Sequence, residues 1–393
     1  MRIDKFPKLT FWRAVLMLVL AVGFYSTVLR FTKGLGAVTN LSDQFPWGIW
    51  VGFDVLCGVG MAAGGFTLAA IVYVFHIQRF HAVLRPSILT AFLGYALVAV
   101  ALLFDLGKPY NIWHPLVMWN PHSVMFEVAW CVTLYLTVLA LEFSPAVLER
   151  FHLHAPLRIV KAMTIPLVIV GVLLSTLHQS SLGSLFLIVP TKLHPYWYSP
   201  LLPVLFFVSA VSVGMAMVIF ESNLSSRAFG KEIEMPLLEV LGRAMAVALA
   251  IYGLLRFEDL WGRGALSHLR EPSTETVLFL LEITLGLLIP LPLLLFRKIR
   301  EDRDSLFAVA VLVITGFLLN RMNVSITGME ASSGVHYFPR WTEVAITLSI
   351  VGVGFLLFSL AVQYLNVFER QVSGVGCQVS EETSALAPLG GNR

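Results

Sequence analysis

The chain has 393 residues, of which 57% are hydrophobic and only 13% charged, where a soluble domain carries about 25% charged residues. Such a chain cannot cover a water-facing surface, so the bilayer is its expected solvent, and a net charge of +3 spread along the sequence excludes a nucleic-acid footprint. Cys57, Cys131 and Cys377 have no C-x-x-C spacing, so the chain offers neither a zinc site nor an iron–sulfur ligand set of its own.

A spanning helix needs about 20 mostly apolar residues. In chain order the predicted spans are 11–31, 48–76, 86–106, 121–143, 159–179, 199–221, 237–260, 273–297, 305–321 and 341–365. The basic start MRIDKFPKLTFWR resembles a signal peptide. Its apolar run continues to Leu29 without an A-x-A-like cleavage site, so it reads as a retained first helix. Prolines 86, 121, 200, 236, 272 and 339 sit at or just before predicted starts, where a missing N–H costs nothing. Residues 1–370 form the expected transmembrane domain. Residues 371–393, rich in Gly, Ser and Glu, read as a disordered tail. The expected class is an all-α polytopic membrane protein of about ten helices.

Lysine and arginine bias the orientation. One side carries Arg2, Lys5, Lys8, Arg13, Arg79, Arg85, Arg150, Arg158, Lys161, Arg227, Lys231, the run RKIREDR at 297–303, and Arg370. The other carries Lys33, Lys108, Lys192, Arg263, Arg270 and Arg340. The richer side is expected to be cytoplasmic and to hold both termini. The opposite connections, among them KPYNIWHPLVMWNPH and SSLGSLFLIVPTKLHPYWYS, are rich in aromatics, Gly and Pro. They suit an interfacial aromatic belt or a platform for an extracytoplasmic partner.

Ionisable residues inside spans are costly and point to function. At 1.5 Å per residue, Asp54, Asp105, Glu127, His178, Arg256, Glu258, Asp259, Glu282, Arg321 and Glu343 all fall in the outer half. They read either as charge pairs between helices, such as Asp105 or Glu127 with Arg256 or Arg321, or as a polar pocket open to the outside, the favoured reading. His76, Glu142, Glu221, Glu239 and Arg243 lie near the cytoplasmic ends. An internal repeat is also expected: LLFDLGKPYNIW pairs with LLRFEDLWGRG, and SVMFEVAW with VLFLLEITLG. An offset of four helices preserves direction. It gives two four-helix bundles, helices 2–5 and 6–9, flanked by helices 1 and 10.

A bis-histidine haem needs two ligands at matched depth, and only His76 and His178 approach span ends, at opposite faces. A quinone fits better. His178, Gln179, Ser181 and Ser184 of TLHQSSLGS supply donors, with Asp105 and Tyr110 completing the expected quinone-binding set. Asp54, Glu127, Glu282, Glu258, Arg256 and Arg321 form the expected proton-transfer set. A secondary transporter is the alternative that the repeat and the membrane acids allow.

The blocks FPWGIWVGFDVLCGVGMAAGG, HPLVMWNPHSVMFEVAWCVTLYL, ALEFSPAVLER, STLHQSSLGSLF and HYFPRWTE resemble the HybB-type membrane subunits of respiratory NiFe hydrogenases, within the NrfD/polysulfide-reductase membrane-subunit family. The resemblance covers about residues 30–365. It implies a ten-helix anchor in the bacterial inner membrane with no haem or iron–sulfur cluster of its own. It also implies a periplasmic ferredoxin-like Fe–S partner, hydrogenase large and small subunits, and exchange of electrons with menaquinone or ubiquinone. Polysulfide reductase is another assembly such a subunit serves. In related subunits a histidine in the TLHQSSLGS-like block lies near the quinol site and an acid follows six residues later; here Ser184 stands in that place. Glu127 of FEVAW is the family's candidate for proton movement.

Overall fold

The computed structural model describes residues 10–230, 234–365, 367 and 368. Among the described residues, ten helices are long and apolar enough to cross a membrane: α1 Phe11–Lys33, α2 Trp50–Val74, α3 Val83–Asp105, α4 Val124–Arg150, α5 Thr164–Ser184, α6 Leu202–Phe229, α7 Met235–Gly262, α8 Thr274–Leu295, α9 Arg303–Ser333 and α10 Trp341–Tyr364. No strand occurs among the described residues. Arg2, Lys5, Lys8, Lys231, Arg370 and the tail 371–393 lie outside them.

The starts follow from local chemistry. Ser123 and Ser273 accept hydrogen bonds from Phe126 N and Thr276 N, at 3.4 and 3.2 Å, and Asp302 accepts from Ser305 N at 2.9 Å. Each satisfies an orphan amide of the first turn. The Glu343 carboxylate accepts from Arg340 N at 2.7 Å and so caps α10. Pro236 sits in the first turn of α7, as expected, whereas Pro86 lies inside the helix that begins at His81.

Helix α2 packs on α3 and α5, α3 on α4, and α4 on α5. Likewise α6 packs on α7 and α9, α7 on α8, and α8 on α9. The two groups meet where α2 touches α6 and α9, and α5 touches α6. Helices α1 and α10 pair with each other and lean on α3 through α10. Glycine makes the tightest crossing possible: a Cβ on Gly316 would stand 2.0 Å from Gly286 Cα, so α8 and α9 touch backbone to backbone.

Three helices are irregular. Wide π-type turns occupy Trp50–Cys57 and Ala70–Val74 in α2, Thr284–Leu288 in α8 and Asn323–Thr327 in α9. Three of the four lie beside a charge: Asp54 is within Trp50–Cys57, Glu282 lies two residues before Thr284 and Arg321 two residues before Asn323. Such turns recur at functional sites because they reposition side chains within a helix.

Four helices run well past their predicted ends: α4 to Arg150 rather than 143, α6 to Phe229 rather than 221, and α5 and α9, whose extensions bear on the buried charges. Helix α5 ends at Ser184 rather than at 179, so His178 lies six residues, about 9 Å, inside its end. Helix α9 ends at Ser333 rather than at 321, which puts Arg321 about 18 Å from that end. Both extensions are polar stretches whose groups are paired within the protein, so they stay helical without being apolar.

Candidate functional site

Among the described residues, three clusters of polar side chains hold most of the predicted set. The first lies among α3, α4 and α5. His178 is fully buried. Its Nδ1 bonds to Leu174 O at 2.8 Å and its Nε2 to the Tyr95 hydroxyl. Tyr135 packs beside both rings. Gln179, also buried, donates to Val59 O of α2 at 3.2 Å. Ser181 faces α4 and donates to the Glu127 carboxylate at 2.6 Å. Ser184 is half-buried and donates to Ser180 O at 3.3 Å.

Glu127 itself is exposed. It shares a helical stripe with Leu134 and Leu141, at seven-residue spacing, which are 42% and 41% exposed. Trp130 and Phe126 flank it on the same helix, and Trp119 packs against both. Glu127 therefore stands on the outer face of the helix pack, three residues into α4, among aromatic rings.

The second cluster joins α1, α2, α3 and α10. Asp54 is buried and accepts from the Thr347 hydroxyl at 2.8 Å. Asp105 lies in electrostatic range of Asp54, Arg30 and Glu343, and its Oδ1 is buried without a hydrogen bond. Arg30 bonds to Phe104 O and Leu106 O at 2.7 and 2.6 Å, which closes the end of α3. Glu343 accepts from the Tyr337 hydroxyl at 2.6 Å and from Asn40 N at 3.1 Å. Burial, and then the neighbouring Glu343 carboxylate, hold the Tyr337 phenol well above its ordinary pKa, so it stays a donor.

The third cluster fills α6–α9. Glu282 is buried, eight residues or about 12 Å into α8. Its two oxygens accept from Trp197 Nε1 at 2.8 Å, Asn320 Nδ2 at 2.7 Å and Asn323 Nδ2 at 2.8 Å. Arg256 Nη2 is 3.9 Å away and donates to Tyr196 O at 2.9 Å. Three hydrogen-bond donors and one guanidinium thus converge on the two oxygens. Arg321 donates to Asn320 Oδ1 at 2.6 Å and Ser209 Oγ at 2.7 Å. Its guanidinium sits over the rings of Phe206 and Phe317, at 3.6 and 4.5 Å. A cavity of about 30 Å³ adjoins Glu282, Asn320, Ser209, Ser212 and Tyr252. That is room for a water molecule.

The predicted set thus divides. His178, Gln179, Ser181 and Ser184 share one helix end, but Gln179 turns toward α2 and Ser181 toward Glu127. Asp105 does not join them: ten residues, about 15 Å, separate it from Tyr95 along α3. Tyr110 is 70% exposed in the connection after α3. Of the proton-transfer set, Glu282, Arg256 and Arg321 do meet. Glu258 does not, because two residues turn it about 200° from Arg256, and it is exposed. The expected pairing of Asp105 or Glu127 with Arg256 or Arg321 is replaced by Arg256 with Glu282, and Asp105 beside Arg30. Tyr95, Trp197, Asn320 and Asn323 went unmarked in the sequence. The signal was there for the two asparagines, which flank Arg321 at a spacing of three.

These features define a multi-pass helical membrane protein that buries arginines, carboxylates and a histidine within its spans. Residues 37–331 match the family described as polysulphide reductase, NrfD, and the chain belongs to it. A protein of Nitratidesulfovibrio vulgaris is 43% identical over 85% of this chain and 88% of its own. The probable Ni/Fe-hydrogenase 2 b-type cytochrome subunit of Escherichia coli is 35% identical over 86% of this chain and 88% of its own. The integral membrane subunit of a menaquinone reductase, also from N. vulgaris, is 26% identical over 93% of both chains.

Proposed function

We propose that this chain is the quinone-reactive membrane subunit of a respiratory hydrogenase. It passes electrons between a periplasmic ferredoxin-like Fe–S subunit, joined to hydrogenase large and small subunits, and menaquinone or ubiquinone in the bacterial inner membrane. Both termini lie in the cytoplasm, the side where lysine and arginine concentrate. The relative named as a hydrogenase 2 subunit supports the catalytic partner, and the menaquinone reductase subunit supports the quinone.

The observation that carries the reading is Glu127. A carboxylate on an outward-facing stripe of a spanning helix is costly unless something binds it. A quinone head arriving sideways through the bilayer meets there a proton-accepting carboxylate, the Ser181 hydroxyl 2.6 Å from it, and a wall of tryptophan and phenylalanine rings. His178 lies deeper, with both ring nitrogens engaged, and acts through Tyr95 and the end of α5 rather than by open contact. Asp54, Asp105 and Glu282 are then the groups through which proton movement is coupled. On this reading electrons reach the quinone from the Fe–S partner and not through a bis-histidine haem: His178 is the one histidine buried in the described spans, and such a haem needs two at matched depth.

The test uses the intact complex. Glu127→Gln and Ser181→Ala should each lower hydrogen-to-quinone turnover by tenfold or more, the scale of a displaced general base (about 10²–10⁴-fold at full strength). Hydrogen-dependent reduction of a water-soluble dye should not change. Quinone turnover at the wild-type rate in both variants would refute the site.

A further inference from the structure

A further surface feature adjoins the third cluster on its outer side, divided from it by buried Leu287. Between α7 and α8 runs a groove of about 380 Å³, lined by Ala250, Gly253, Leu254 and Phe257 on one wall and by Leu288 and Leu291 on the other. Leu254 is 70% and Leu288 52% exposed. The groove exists because α8 is irregular there: the π-type turn at Thr284–Leu288 and the proline at 290 interrupt its regular packing on α7.

The foot of the groove is basic. Arg300 bonds to Leu295 O at 3.0 Å and to Glu239 of α7 at 3.3 Å, so it ties the two helices together below the groove. Glu239 also takes Arg243 at 2.8 Å, and Glu301 takes Arg297 Nε at 2.7 Å. Glu239 and Glu301 are thereby paired, and Asp302 caps α9 through Ser305 N. Arg297 remains 79% exposed, and Lys298 is exposed with no ion pair among the described residues.

Leu288 lies seven residues, about 10 Å, from the end of α8 at Leu295, and Lys298 follows in the short helix Arg297–Glu301. Half the hydrocarbon core of a bilayer is about 15 Å, so a chain reaching Leu288 from the level of Lys298 spans most of one leaflet.

We infer that this groove seats an acyl chain of an anionic phospholipid, from the leaflet on the Arg297–Arg303 side, with its phosphate held by Lys298 and Arg297. A quinone tail fits less well. The lining offers no donor for a quinone carbonyl, and Leu287, which is buried, shuts off the 30 Å³ cavity beside Glu282. That space takes a water, not a ring.

The test is native mass spectrometry of the full chain, released from non-ionic detergent with equimolar phosphatidylglycerol and phosphatidylcholine of identical chains. Wild-type protein should favour phosphatidylglycerol by about fivefold for each cation engaged. Lys298→Gln and Arg297→Gln, both at exposed positions, should each reduce that preference, and together abolish it. Ala250→Phe, which fills the groove, should reduce retention of both lipids. Equal retention of the two lipids by wild-type protein would overturn the inference. So would an unchanged preference in the double variant, or displacement of the phospholipid by an equimolar long-chain menaquinone.

Discussion

Glutamine at position 282 keeps the shape of glutamate and removes its charge. One of its two terminal atoms then becomes a donor, in a place where every neighbour is already a donor: Trp197 Nε1, Asn320 Nδ2, Asn323 Nδ2 and Arg256 Nη2. One hydrogen bond is lost if the amide nitrogen takes the place of Oε1 and two if it takes that of Oε2, and Arg256 keeps no counter-charge within reach, with its Nε already lacking a partner. Removing one partner of a buried pair costs about 3–5 kcal/mol. Removing a single interhelical hydrogen bond inside a membrane protein costs about 0.6 kcal/mol, so Asn323→Leu provides the internal scale. The assay is unfolding of the full chain in mixed micelles by titration with a denaturing detergent. Glu282→Gln should lose several times what Asn323→Leu loses. Glu282→Leu combined with Arg256→Met should recover part of the loss, because replacing a whole buried pair by apolar groups is often neutral. If Glu282→Gln lay within about 1 kcal/mol of wild type, the charge would not be holding the cluster together.

Gly316→Ala should destabilise α8–α9 packing by at least the 1–3 kcal/mol typical of overpacking, since its Cβ meets backbone rather than a movable side chain; a thermal shift of the detergent-solubilised chain reads it. Tyr95→Phe leaves His178 Nε2 without its recorded partner and should cost about 1–3 kcal/mol, measured by the same denaturant titration. Tyr95→Phe should also slow quinone turnover less than Glu127→Gln does, because Tyr95 supports the site from behind. Arg30→Gln removes two charged bonds to the end of α3, each of a kind worth about 1.5–3 kcal/mol. Faster amide exchange near Leu106 than near Leu97 would show that the loss is local.

Most of the architecture was legible from hydropathy, because ten apolar runs need no tertiary context to be recognised. Helix ends were less legible where polar residues continue the helix. HQSSLGS and NRMNVSITGMEASS look like loops by composition, yet their polar groups are satisfied internally, as the Gln179, Ser181, Asn320 and Asn323 bonds show. Gathering charges by depth placed Arg256, Glu282 and Arg321 together. Depth alone could not tell Arg256 from Glu258, which differ in helix face rather than in height. The helical angle between them was readable from their spacing. The partnership of Asp54 with Thr347 was not readable, because it depends on which distant helix lies alongside α2.

The Glu282 cluster also bears on how the chain enters the membrane. Its contributors stretch from Trp197 to Asn323, and the carboxylate emerges from synthesis before the asparagines that complete its shell. Placing a lone acid or arginine at the centre of an inserting helix costs about 2.5–3.5 kcal/mol. Helices α7 and α8 therefore gain by leaving the insertion machinery as a pair, with Arg256 and Glu282 already facing each other. Helix α9 then locks that hairpin in place when Asn320 and Asn323 arrive. A chain that ends shortly after α8 would hold the same two charges in an unfinished socket, a feature that quality-control proteases of the membrane can recognise.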